Sequence, residues 1–180
     1  MRWIALCTAL VCAAPAAAQQ WFHHDFGELR AYHGDYLSVC NDNGAGACRT
    51  VQTGMNPSDF LFDERLVLHR REDAPGWVVE VMVRGMPDAL SSLAFSIDGE
   101  TVDVPLAHRA AGGYDFANVA ETVHITDAAL NNELVRRMRA GNKMTVYWTP
   151  RGDSDGSEAF SLRGVTAATN AIDARVRTRQ

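Results

Sequence analysis

Lysine is almost missing from this sequence. Lys143 is the only one; the other basic side chains are arginines. The 17 basic groups face 22 acidic ones, for a formal net charge of −5. No basic block occurs. That argues against general nucleic-acid binding, where clustered cations must replace the counterions of the phosphates. The bias towards arginine speaks of a GC-rich gene more than of a binding site. Catalytic fingerprints are missing too: there is no Gly-x-Ser-x-Gly, no His-Glu-x-x-His, no P-loop and no dinucleotide motif. No catalytic residue and no cofactor is therefore assigned. Beyond the first eighteen residues, no apolar run is long enough for a membrane helix. What remains is ordinary globular composition, 47% hydrophobic and 22% charged, in 180 residues. That is one domain's worth of chain, too apolar to stay disordered.

The first residues carry a short positive start at Arg2, an apolar stretch from Trp3 to Cys12 and a small-residue ending around Ala16 and Ala18. These are the three parts of a secretory signal peptide. Cleavage after Ala18 is expected, leaving residues 19–180 as a single exported β-rich domain. Neither Cys7 nor Cys12 follows a small residue, so a lipoprotein signal is not expected. Cys40 and Cys48 then remain as an even pair in an oxidising compartment, where a disulfide is the default. The segment between them, Asn41-Asp-Asn-Gly-Ala-Gly-Ala47, is nearly pure turn chemistry. The two cysteines are expected to staple the ends of a hairpin loop.

Most of the remaining chain alternates as strands do. Tyr36–Cys40 and Cys48–Thr53 flank the turn, and 65–71 and 77–84 follow. Phe95 and Ile97 lead into Asp98-Gly99, which predicts a tight hairpin because both turn positions favour positive φ. Further short strands are expected around Val123, Met144 to Trp148, and Phe160. Two helices interrupt this pattern. One spans 127–140, with Leu130, Leu134, Val135 and Met138 inward, a Glu133–Arg137 pair and Gly141 as its stop. The other spans 166–176, with Ala168, Ile172 and Val176 inward and an expected Asp173–Arg177 pair. The fold class is mainly β (α+β): an antiparallel β-sandwich or half-barrel with two packed helices.

The most distinctive stretch is Ser161-Leu-Arg-Gly-Val-Thr-Ala-Ala-Thr-Asn-Ala-Ile-Asp173. With it, in order, come Asp35-Tyr-Leu-Ser-Val-Cys40, Phe95-Ser-Ile-Asp-Gly99 and Leu134-Val-Arg-Arg-Met-Arg-Ala-Gly141. Together they resemble the invasion-associated locus B family of exported proteobacterial proteins, over most of residues 26–173. A related periplasmic family has a similar ending. The chain departs from the locus B pattern by carrying Tyr36 where that family usually has Trp, and by lacking a second cysteine pair. The resemblance implies a β-rich exported domain, periplasmic or loosely outer-membrane-associated, and brings no catalytic residues.

Several clusters could carry chemistry. His23, His24 and Asp25 are the densest group of metal-coordinating side chains, but neighbours in an extended chain point apart, and incidental placement in a mobile N-terminus is preferred. Arg151, Gly152 and Asp153 form an adhesive-type tripeptide in a polar turn, where glycine and aspartate are also what a turn needs. The segment from Asp153 to Glu158 lacks the carboxylate spacing of a calcium loop. The groups Arg70/Arg71, Arg136/Arg137/Arg139 and Arg175/Arg177/Arg179 could form anionic-ligand patches, though a solvated face is the plainer reading. Trp77 and Trp148 read as core. The function expected is a non-enzymatic exported protein that binds or supports another envelope component, whether a protein or something else. A secreted host-interaction factor is the alternative, and a metal-dependent or hydrolytic enzyme on a β scaffold stands third. Its localisation is expected to be periplasmic or secreted.

Overall fold

The structure, a computed structural model, describes residues 20–54, 64–70, 76–83, 90–114, 122–150 and 155–179. Its strands are β1 (Phe22–His24), β2 (Glu28–His33), β3 (Tyr36–Cys40), β4 (Cys48–Thr53), β5 (Arg65–Arg70), β6 (Val78–Met82), β7 (Leu90–Ile97), β8 (Glu100–Asp103), β9 (Arg109–Ala111), β10 (Thr122–Ile125), β11 (Lys143–Pro150) and β12 (Gly156–Ser161). Two helices, α1 (Ala128–Ala140) and α2 (Val165–Arg177), complete the set. The strands form two antiparallel sheets, ordered β1-β2-β3-β4-β5-β6-β10-β9 and β12-β11-β7-β8. Neither closes into a barrel.

Alternation decides which side chains meet. Along β6, Val79 and Val81 point inward while Val78, Glu80 and Met82 point out. Met144, Val146 and Trp148 do the same on β11. α1 presents Leu134, Val135 and Met138 to the core, with Leu130 partly covered, and α2 presents Ala168, Ile172 and Val176. All these merge into one apolar core. Trp77 and Trp148 lie in it, as the sequence predicts.

Capping and turn chemistry follow the sequence closely. Asp127 caps α1 by accepting from the Leu130 amide at 2.7 Å. Asp98 and Gly99 take φ of 49° and 92°, the conformation a two-residue hairpin requires. The Asp98 carboxylate then accepts from the Lys143 and Asn142 amides, which hold it below the usual carboxylate range. One expectation needs correction. Asp173 does not pair with Arg177; it faces Arg70 at 3.2 Å and Arg139 at 2.9 Å, because it lies on the flank of α2 that looks toward β5 and α1. Gly141 ends α1, as the sequence predicts, and does so in an extended conformation. Its lack of a side chain serves packing: a Cβ there would sit 2.7 Å from the Ile97 side chain.

Two turns meet at bare backbone. Gly164, with φ of 102°, lies against the His33 carbonyl, and a Cβ at Gly34 would sit 2.5 Å from the Arg163 carbonyl. This close approach locks the β2–β3 turn to the start of α2. Tyr36, fully buried beside it, donates its hydroxyl to the Ser161 carbonyl at 2.9 Å, and burial pushes its ionisation well above the usual range.

Candidate functional site

The N-terminal hairpin is the feature sequence reasoning missed. Phe22–His24 pairs antiparallel with β2, so this stretch is an edge strand and not a loose end. The turn works because Gly27 adopts φ of 70° and returns its amide to the His24 carbonyl at 3.0 Å. On the outer face, Phe22 and Tyr32 stack with ring centroids 6.0 Å apart. Phe26 stands at the tip, 81% exposed, with its ring 4.9 Å from that of His24. Tyr32 is 55% exposed and Phe22 38%. Exposed apolar rings carried by one hairpin mark an interaction surface more often than isolated ones do. β1 is also the first strand of its sheet, with no strand on its other side among the described residues. Such an edge offers unpaired amides and carbonyls to an incoming chain.

Charged groups frame the patch. Glu28 bridges Arg30 and Arg49, the latter at 3.2 Å. Burial pushes the Glu28 carboxyl up, but the hydrogen bonds and charge of the two guanidiniums outweigh it and hold it below the usual carboxylate range. The Asn43 amide donates to the Gly27 carbonyl at 2.7 Å, tying the hairpin turn to the disulfide loop. Trp21 anchors the start of the hairpin: it packs on the core, lies edge-on to His33 at 6.4 Å and sits under the Arg175 guanidinium at 5.4 Å. The aromatic patch is therefore mounted on a fixed base.

A second constellation occupies the outer face of β5, β6 and β10. His69 Nε2 lies 3.1 Å from Glu80 Oε2, which also accepts from the Tyr114 amide at 2.5 Å. The Tyr114 ring sits 5.3 Å from His69 and 5.5 Å from His124, and His124 Nδ1 lies 2.9 Å from the Gly112 carbonyl. An imidazole–carboxylate pair of this kind can move protons. Here its carboxylate is occupied by a backbone amide, and the group fastens the segment after β9 across the sheet.

The structure distributes the remaining sequence candidates as follows. Cys40 and Cys48 are cross-strand partners joined by a disulfide with a Cα–Cα distance of 4.1 Å, and both are buried. The loop they close contains a short 3-10 turn, Asp42–Gly44. His23 and His24 lie on β1, and Asp25 follows in the turn. Nothing brings a third ligand to them: among the described residues no group of three His, Cys, Asp or Glu side chains is placed to hold a metal. Arg151, Gly152 and Asp153 lie outside the described residues, as do Arg71 and residues 1–18. Arg136 and Arg137 are taken up by Glu133, with Arg137 also on Glu100 at 3.0 Å, and Arg139 by Asp173 and Thr169. The α1 group is thus a surface ion-pair network. No helix among the described residues is long and apolar enough to cross a membrane.

The missed patch had a signal in the sequence: Phe22 and Tyr32 flank an Asp-Phe-Gly turn that itself carries Phe26. It was obscured because the inward positions of β2 are Leu29, Ala31 and His33, and only the first is plainly apolar. Compared with known proteins, the chain matches no family model. No curated protein matches it in sequence. Among solved structures it is similar to invasion associated protein b from Bartonella henselae, at 16% identity and a TM-score of 0.57, over 84% of this chain and 99% of that one. The chain therefore shares the fold of that protein, which is the architecture the sequence resemblance implied.

Proposed function

We propose that this chain is a non-enzymatic exported domain, periplasmic or outer-membrane-associated, that binds another protein of the envelope through the β1–β2 hairpin. One observation carries the reading: three aromatic rings, Phe22, Phe26 and Tyr32, stand exposed beside an open sheet edge, on a hairpin braced by Trp21 and the disulfide loop. An aromatic cluster on a rigid base loses little conformational entropy on association, and aromatic anchors dominate many interfaces. Export is part of the proposal. It is supported by the signal-like residues 1–18 and by the buried disulfide, a linkage typical of oxidising compartments. N-terminal sequencing of the native protein is expected to begin at Gln19; a start at Met1 contradicts this part.

The binding is tested by co-purification from the native envelope. The wild-type protein is expected to retain a defined partner that the Phe26→Ser/Tyr32→Ser variant loses. A Tyr147→Ser variant, altered at an exposed aromatic on the other sheet, is expected to keep it. Identical recovery by all three contradicts the hairpin as the binding face. A second reading, host interaction, is favoured by the fold shared with a protein named for invasion. It predicts that the same double variant lowers host-cell entry while envelope integrity stays normal.

A further inference from the structure

Asn43-Gly44 is the only asparagine–glycine step in the chain, and it lies in the disulfide loop. In such a step the glycine amide nitrogen, with no side chain to hinder it, can attack the side-chain carbonyl carbon of the asparagine. The fold of the loop opposes that attack. Asp42 and Asn43 both have left-handed backbone, with φ of 50° and 51°, and Asn43 has ψ of 31°. The Gly44 nitrogen reaches the Asn43 side chain only if Asn43 leaves this conformation. Four consecutive amides resist the change. Asn43 donates to the Gly27 carbonyl at 2.7 Å, Gly44 to that of Asn41 at 2.9 Å, Ala45 to that of Asp42 at 2.9 Å and Gly46 to that of Asn41 at 3.0 Å. The reacting nitrogen is itself one of these donors. Gly44 is buried with the Arg175 guanidinium packed against it, whereas Asn43 is exposed to water.

The loop is fastened at its ends by the Cys40–Cys48 disulfide and along its return by Arg179. From the end of α2, that guanidinium donates to the Ala45 carbonyl at 3.2 Å and the Gly46 carbonyl at 2.7 Å. We propose that Asn43 is a deamidation site kept silent by the closed loop, and that opening the loop turns the reaction on. The Gly44 nitrogen forms a bond to Asn43 Cγ and gives up its proton. The side-chain nitrogen leaves as ammonia, and a cyclic imide remains. Water then opens the imide at one carbonyl or the other, giving aspartate or isoaspartate. No oxidant or cofactor is consumed. Isoaspartate adds a carbon to the main chain between residues 43 and 44. The bonds donated by Gly44, Ala45 and Gly46 all cross that link, so the turn does not reclose as it was. Loss of ammonia is irreversible, and molecules whose loop has been open are permanently marked.

The test incubates the purified oxidised protein in mildly alkaline buffer and follows residue 43 by peptide mass mapping, with electron-transfer fragmentation to tell isoaspartate from aspartate. A linear peptide of residues 38–50 with alkylated cysteines gives the rate of the unfolded step. The oxidised protein is expected to convert far more slowly than the peptide. Dithiothreitol, a dithiol that reduces Cys40–Cys48 as its own thiols join in a disulfide, is expected to raise the rate at Asn43 about tenfold or more. A variant that keeps the disulfide guards against a reduced protein that simply unfolds. Arg179→Gln removes the charge-assisted bonds to the Ala45 and Gly46 carbonyls and is expected to speed conversion of the oxidised protein about tenfold. Arg177→Gln removes an equal charge from an exposed position on α2 and is expected to change nothing. A rate in the oxidised protein equal to that of the peptide, or the same rate with and without dithiothreitol, overturns the proposal. Equal rates in Arg179→Gln and Arg177→Gln overturn it as well.

Discussion

Asn131 shows how a single polar side chain can hold elements together. It is buried on α1, accepts from the Val79 amide at 2.8 Å and donates to the Ile125 carbonyl at 2.9 Å. It thus satisfies one backbone group on β6 and one on β10. Asn131→Ala leaves both unsatisfied in the core and is expected to cost about 2–4 kcal/mol, measured by urea unfolding; a loss under about 0.5 kcal/mol contradicts the role. His33 acts through its proton. Burial lowers its pKa below the usual 6.5, so the fold favours the neutral ring. As pH falls, the unfolded chain takes up the proton first. The contribution is complete above about pH 6.5 and is lost as pH drops through the folded-state value. Thermal midpoints between about pH 8 and about pH 5 are expected to fall less steeply in His33→Gln than in the wild type; parallel slopes contradict this. Neither role was legible from the sequence, since a lone asparagine or histidine gives no sign of which backbone groups the fold will bring to it.

The disulfide hairpin and the glycine turns set the limits of individual elements. Closing the nine-residue loop between Cys40 and Cys48 is worth about 2.5 kcal/mol in the chain-entropy picture, so Cys40→Ser is expected to lower the melting temperature clearly. An unchanged melting temperature contradicts the staple. Gly99 and Gly164 both have strongly positive φ, but only Gly164 abuts another backbone. Gly99→Ala is expected to cost about 1–2 kcal/mol, the conformational penalty alone. Gly164→Ala must also displace the His33 carbonyl, and is expected to destabilise far more. Equal urea midpoints for the two variants would show that the close approach does not matter. Elements with strong local signals were readable: β3 and β4 by alternation around a turn, the β7–β8 hairpin by Asp-Gly, α1 and α2 by their four-residue spacing. β1, β2 and β9 were not. They are short or mixed in polarity, and their order comes from the neighbours they pair with, which one sequence does not reveal.

At the scale of the molecule, two sheets and two helices among the described residues share one core, and the distinctive surface lies at the N-terminal edge of the longer sheet. Secretion and the fold class could be read as expectations from the chain's beginning and its alternating pattern. The binding face could not, because exposure belongs to the assembled sheet and not to the residues of Phe22, Phe26 and Tyr32 themselves. The most direct measurement of the account is photo-crosslinking in intact cells, with a photoreactive residue placed at Phe26 or, for comparison, at Tyr147. The account predicts a discrete crosslinked product from position 26 and none from position 147. A product from position 147 alone, or none from position 26, would contradict it.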